Sequence, residues 1–137
     1  MSRVTGTAPL PDIVVAEREY ETLSALAAVA VHRMPEVAES LLFELDRATV
    51  IDSNAVPPGI VRLGSRVSYL AEGAERRITL VMPSEADISA GRVSILTPIG
   101  AALIGLSTGQ TITWTARDGR THRLQVIAVE QPAASAA

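Results

Sequence analysis

Two glutamates three residues apart are the closest approach to a chemical motif in this 137-residue chain. Glu36 and Glu39 stand at the start of an expected helix, where an i, i+3 spacing puts both carboxylates on one face. Such a pair could hold a magnesium ion through one or two oxygens. The plainer reading, which the residues favour, is that acids near a helix N-terminus complement its dipole. Other chemistry is scarce. His32 and His122 lie far apart and show neither HxxxH nor HExxH spacing, so no metal site is expected. No serine sits in a nucleophile-elbow pattern. The chain has no Lys, which removes a GxxxxGK[ST] phosphate loop. It has no Cys, which removes thiolate catalysis, disulfides and Cys-based zinc sites. No catalytic residue, metal or cofactor is assigned, and the chain reads as a non-enzyme.

Charge narrows the partners. Residues 1–59 carry four Arg against nine Asp and Glu, a balance of −5, and residues 60–137 carry eight Arg against six acids, a balance of +2. A duplex-DNA binder would show a dense basic stripe, and none is present. Hydrophobic residues make up 47% of the chain, enough for a core, and aromatics only 3%, so that core is built from Val, Ile, Leu and Ala. The longest apolar run, Leu23 to Val31, is far short of the ~20 residues of a membrane span. With no secretory signal visible, a soluble cytoplasmic protein is expected.

The elements that must position these residues follow from periodicity. Residues 1–11 read as a flexible lead, and Asp12–Val15 as a short β-type run. Ala16, Tyr20, Leu23, Ala27 and Ala30 then recur at heptad spacing, the seam of a first helix. Pro35 ends that pattern and opens a second helix, to about Val50, with seam positions Ala38, Leu41, Leu45 and Ala48, widened by Val37 and Leu42. Residues 12–52 thus form a short antiparallel αα-hairpin, a small coiled coil, with Arg33, Met34, Glu36 and Glu39 at its tip. Residues 53–59 are a linker rich in turn formers. Residues 60–130 form a sheet domain of about five mostly antiparallel strands. Ile60–Leu70 reads as one strand with an irregularity at Gly64, Ala71–Ala74 as a turn, and Glu75–Met82 as the return strand. Pro83–Gly91 is a loop with one helical turn. Val93–Leu96 is a short strand, and Thr97-Pro98 opens a short helix as cap and first residue. In Gln110–Ala116, Ile112, Trp114 and Ala116 point inward. Arg117–Arg120 is a hairpin turn, Thr121–Glu130 the last strand, and 131–137 a disordered tail. The fold class is α+β with its parts segregated along the chain.

The stretch VSILTPIGAALIGLSTGQTITW, followed by RDGRTHRLQVIAV, resembles the C-terminal domain of the bacterial Gre transcript-cleavage factors. LGSRVSYL and SEADISAGRVS upstream fit the same pattern, so the resemblance runs from Ile60 to about Val129. It implies an FKBP-like domain that docks on the coiled-coil rim of the RNA polymerase secondary channel. Ser94, Thr97, Pro98, Gly100, Ala102 and Leu103 match the polymerase-facing motif, and Asp87 lies in the loop beside it. Small residues at Gly100, Ala101 and Ala102 would let a partner helix approach closely. The front half separates branches of the family. Gre factors carry a long coiled coil whose acidic tip reaches the polymerase active centre and holds a catalytic magnesium. Here the hairpin is about half that length, with helices of about 21–24 Å, and ELDRA (Glu44 to Ala48) and PPGIVRLGSRV resemble the Rnk branch, regulators of nucleoside diphosphate kinase.

The resemblance therefore implies a polymerase-binding regulator that competes with Gre factors without stimulating cleavage. No sequence-specific nucleic-acid or membrane binding is expected. Two alternatives stay open: an FKBP-like peptidyl-prolyl isomerase, for which Tyr69 and Trp114 are the only aromatic lining available, and weak Gre-like cleavage through Glu36 and Glu39.

Overall fold

The computed structural model describes residues 10–115 and 119–132. Most of the expected lead, part of the Arg117–Arg120 turn, nearly all of the tail, and the side chains of Trp114 and Thr115 lie outside the described residues, as does Ala116.

The chain opens with a short strand β1 (Val14–Ala16), followed at once by helix α1 (Glu17–Ala30). The heptad seam is the buried stripe of α1: Leu23, Ala27 and Ala30 are inside, Glu17 and Glu21 are exposed, and Glu19 is half-buried. After residues 31–34, Pro35 takes the first position of α2 (Pro35–Arg47), where its missing N–H costs nothing. Val37, Ala38, Leu41 and Leu45 face inward, and α1 and α2 pack on each other. Two expectations for α2 are corrected. Leu42 is 37% exposed, and Glu44, which continues the row from Val37 and Leu41, takes the buried place instead. The helix ends at Arg47 rather than Val50, because Ala48 turns to an extended conformation and the β-branched run that follows forms strand β2 (Thr49–Ile51). β2 pairs in parallel with β1, Val15 opposite Val50, so β1 and β2 bracket the two helices.

After a 3₁₀ turn at Ser53–Ala55, capped by the Asp52 carboxylate, residues 60–65 are not a strand as expected. Gly64 has φ of +91°, which breaks the extended run. The buried Ser65 hydroxyl accepts the Arg62 N–H at 2.8 Å and donates to Gln131 Oε1 at 2.7 Å. Gln131, expected in a loose tail, is held here: its amide also donates to the Pro58 and Ile60 carbonyls.

Regular sheet begins at β3 (Arg66–Ala71) and continues through β4 (Ala74–Val81). They are joined by a tight turn at Glu72 and Gly73, both with positive φ, the geometry that matches strand twist in a two-residue hairpin. Two 3₁₀ turns, Pro83–Glu85 and Ile88–Ala90, lead to β5 (Arg92–Ser94). Helix α3 (Pro98–Leu103) follows, then β6 (Thr111–Thr115) and β7 (Thr121–Glu130). The sheet order is β5-β4-β3-β7-β6, antiparallel except for the β4–β5 pair.

One buried cluster joins these parts. It contains Leu23, Leu41 and Leu45 from the helices, Ile95, Leu103 and Ile104 around α3, and Val67, Leu80, Leu124 and Val126 from the sheet. The architecture is mixed α+β, helices first and sheet second. No helix among the described residues is long and apolar enough to cross a membrane.

Candidate docking site

The residues singled out in the sequence fall on an elbow between β5 and α3. Thr97 Oγ1 accepts the Gly100 N–H at 3.0 Å, the N-cap bond expected of it, and its hydroxyl donates to the Ser94 carbonyl at 2.8 Å. Ser94 Oγ in turn accepts the Leu96 N–H at 2.9 Å. These three bonds fix the direction in which the chain enters α3. A Cβ on Gly100 would collide with the Ser94 carbonyl oxygen and lie 3.0 Å from both Ile95 Cα and Thr97 Oγ1. Glycine is therefore required by the elbow's own backbone.

The elbow divides the set in two. Gly100, Ala101, Ala102 and Leu103 are buried, and the helix they meet is α2 of the same chain. Ser94, Thr97 and Pro98 are half-buried and reachable. Asp87 is exposed in the preceding loop, where its N–H and carbonyl pair with Arg92, both at 2.9 Å. The Ser89 hydroxyl donates to its carboxylate at 2.7 Å. That bond holds the carboxyl below its usual range.

Two residues of the helix-pair tip, Glu36 and Glu39, lie beside the elbow, whereas Arg33 and Met34 are not brought to it. Arg33, Met34, Glu36 and Glu39 are all exposed. Glu36 and Glu39 line a groove of about 560 Å³ whose opposite wall is Pro98, Ala101 and Ala102 of α3. Leu10, Phe43 and Glu44 complete its nearer parts, with Thr113 and Thr121 from the sheet. Among the described residues, no group of three or more His, Cys, Asp or Glu could hold a metal ion.

Sequence reasoning missed Phe43 and Glu44. Phe43 is 55% exposed on α2, and Glu44 only 8%. Glu44 Oε1 accepts Arg47 Nε at 2.9 Å, and Arg47 Nη2 stands 2.7 Å from the same oxygen. Arg47 Nη1 donates to the Pro11 carbonyl. Burial pushes the Glu44 carboxyl up, against the pull of Arg47. The available signal was the i, i+3 spacing of Glu44 and Arg47 inside a helical seam. His122, expected to be an ordinary strand residue, has its Nδ1 2.6 Å from Glu72 Oε2, clasping the β3–β4 turn to β7.

Comparison with known proteins matches the two halves of the chain separately. Residues 56–131 match the family model "Transcription elongation factor, GreA/GreB, C-term", and residues 11–51 match "Rnk N-terminus". The chain is 33% identical over 128 residues to the regulator of nucleoside diphosphate kinase of Escherichia coli K12, covering 91% of this chain and 94% of that protein. It is 44% identical over 75 residues to the transcription elongation factor GreA of Rhodospirillum rubrum, covering 53% of this chain and 48% of that one. A solved structure, the prokaryotic transcription elongation factor GreA/GreB from Nitrosomonas europaea, matches with a TM-score of 0.69 at 34% identity, over 88% of this chain and 98% of its own. With an Rnk-type front and a GreA/GreB C-terminal unit behind it, the chain belongs to the GreA/GreB family, in its Rnk branch.

Proposed function

We propose that this protein is a non-enzymatic transcription regulator of the cytoplasm that binds RNA polymerase at the rim of the secondary channel and competes there with Gre factors. In this reading the sheet unit is FKBP-like and docks through the elbow, with Asp87, Ser94, Thr97 and Pro98 as its reachable residues. The helix pair is a short coiled coil that partly occupies the channel entrance.

The observation that carries the proposal is the pairing of a GreA/GreB-type C-terminal unit with helices of only 14 and 13 residues. At 1.5 Å per residue they reach about 20 Å, too short to bring Glu36 and Glu39 where a coiled coil twice as long would bring its tip. The regulator from Escherichia coli is named for nucleoside diphosphate kinase. We read that link as indirect for this chain, through expression or nucleotide balance.

The test is a pull-down with core RNA polymerase, a displacement assay against a Gre factor, and a cleavage assay on stalled complexes. Binding, mutual displacement and no stimulated cleavage are expected. Failure to bind or to displace would remove the docking reading. Cleavage lost in Glu39→Ala would establish the Gre-like alternative.

A further inference from the structure

Residues 57–65, the last part of the connection between the helix pair and β3, form no regular strand, yet their backbone is pinned from several sides. The Val61 N–H donates to the Leu106 carbonyl at 2.8 Å, and the Val61 carbonyl accepts the Gly105 N–H at 3.0 Å. The Gly64 N–H donates to the Leu80 carbonyl at 2.6 Å, and Arg62 reaches Glu19 of α1 at 3.2 Å. A further hold comes from beyond β7. Gln131 Nε2 donates to the Pro58 carbonyl at 2.9 Å and to the Ile60 carbonyl at 2.7 Å, so both of its N–H bonds are used. Gln131 Oε1 accepts the Ser65 hydroxyl at 2.7 Å, and Ser65 Oγ accepts the Arg62 N–H at 2.8 Å. Turned over, the amide would set its oxygen against two carbonyl oxygens, so this network fixes its orientation. Ser65 is 0% exposed, and without Gln131 its hydroxyl would lose its acceptor in the interior. Pro132 lies over Gly64, where an added Cβ would be 3.5 Å from Pro132 Cγ.

The last rung of β7 holds far less. It sets Glu130 opposite Arg66, side chains 3.6 Å apart that are 73% and 61% exposed. Ion pairs as open as this contribute almost nothing. The fastening of the strand end therefore falls to the Gln131 amide. An ionised carboxylate has no donor and an ammonium no acceptor, so neither Glu nor Lys could take its place at this reach.

We propose that Gln131 and Pro132 are a strap that locks the connection between the helix pair and the sheet, with Gln131 as its positioning residue. With the amide seated, residues 57–65 and the Arg62 tie to α1 are held as one piece. With the amide withdrawn, that piece opens locally while the buried core stays packed. The strap acts within the chain and is independent of polymerase binding.

The test is amide hydrogen exchange of the full chain, read by NMR at matched pH. Gln131→Met keeps the stem and removes the hydrogen bonds, whereas Gln131→Glu removes the donors at neutral pH. Circular dichroism verifies folding. Gln131→Met is expected to speed exchange at least ~10-fold at Val61, Arg62 and Ser65, and to leave Leu41, Tyr69 and Val126 within ~2-fold of the natural chain. In Gln131→Glu, the amide shifts of Val61 and Arg62 should depart from the natural values at neutral pH. They should return toward them as pH falls through the ordinary carboxyl range of about 4.3, because the protonated acid regains one donor. Gln131→Met should show no such return. Unchanged exchange at the three connection amides would overturn the proposal. An equal rise at the core amides would overturn it too, by making Gln131 an ordinary contributor to global stability. Should Gln131→Met fail to fold, the pH response of Gln131→Glu decides alone, and its absence overturns the strap.

Discussion

Gly100 shows that a residue singled out in the sequence can have a structural reason of its own. In the sequence it looks like a small residue that opens a helix to a partner. In the structure its missing Cβ makes room for the Ser94 carbonyl, and the helix against α3 is the chain's own α2. A large substitution such as Gly100→Trp would thus disrupt the elbow itself, and would say little about docking. Gly100→Ala is the sharper probe. It forces one methyl against backbone that cannot swing aside, and overpacking of this kind costs about 1–3 kcal/mol. Thermal unfolding should register that loss, and an unchanged melting temperature would mean the elbow yields more easily than its three hydrogen bonds imply. Thr97 and Pro98 were legible because capping is local chemistry, written within a few residues. The role of Gly100 was not, because it depends on where residues 94–97 turn back. The i, i+3 pairing of Glu44 with Arg47 was legible, but the burial of Glu44 was not, because it depends on how α2 packs against α3, which is remote in sequence.

At the scale of elements, helix α1 is tied to the segments leading into the sheet by one partly buried ion pair and one hydrogen bond. Arg62, in the segment before β3, donates to Glu19 of α1 at 3.2 Å, and the Arg18 N–H donates to Ser53 Oγ at 3.2 Å. Burial raises the Glu19 carboxyl above its usual value, with Arg62 pulling the other way, and burial raises Glu44 likewise. A carboxyl raised in the folded state holds its proton more tightly there than in the unfolded chain. Its penalty is absent below the unfolded value of about 4.3 and grows as pH rises through the folded value. These two groups should therefore make the protein less stable as pH climbs from about 4.5 toward neutrality. Urea midpoints across that interval should fall more steeply for the natural chain than for Glu19→Gln/Glu44→Gln. Parallel slopes would show that the pairs with Arg62 and Arg47 fully offset burial. Of the two short strands that bracket the helices, the first was legible as the β-type run Asp12–Val15, whereas the second escaped sequence reading for its length. Three residues such as Thr49–Ile51 carry too little periodicity to be told from a frayed helix end, and only the pairing with Val14–Ala16 defines them.

For the whole molecule, the sequence pattern suggested a hairpin, a linker and a sheet domain in series, and one buried cluster joins the helix pair to the sheet. Leu41 of α2 is fully buried in the same cluster as Leu103 of α3 and Leu124 of β7. The elbow, the groove and the sheet edge are then positioned by one core, and the helix pair cannot swing as an independent arm without exposing it. The consequence is cooperative unfolding. Leu41→Ala removes buried methyl groups from the helix side of the core, at a cost of about 2–5 kcal/mol. If the core is shared, helical circular dichroism and the fluorescence of Trp114, the single tryptophan, should shift together to one lower midpoint. If the helix signal moves alone while Trp114, which lies in β6, keeps its midpoint, the two halves are separate folding units. In that case the contact between α2 and α3 would be formed only part of the time, and any binding that needs both helices in place would be weakened in proportion to the fraction of molecules in which they are packed together.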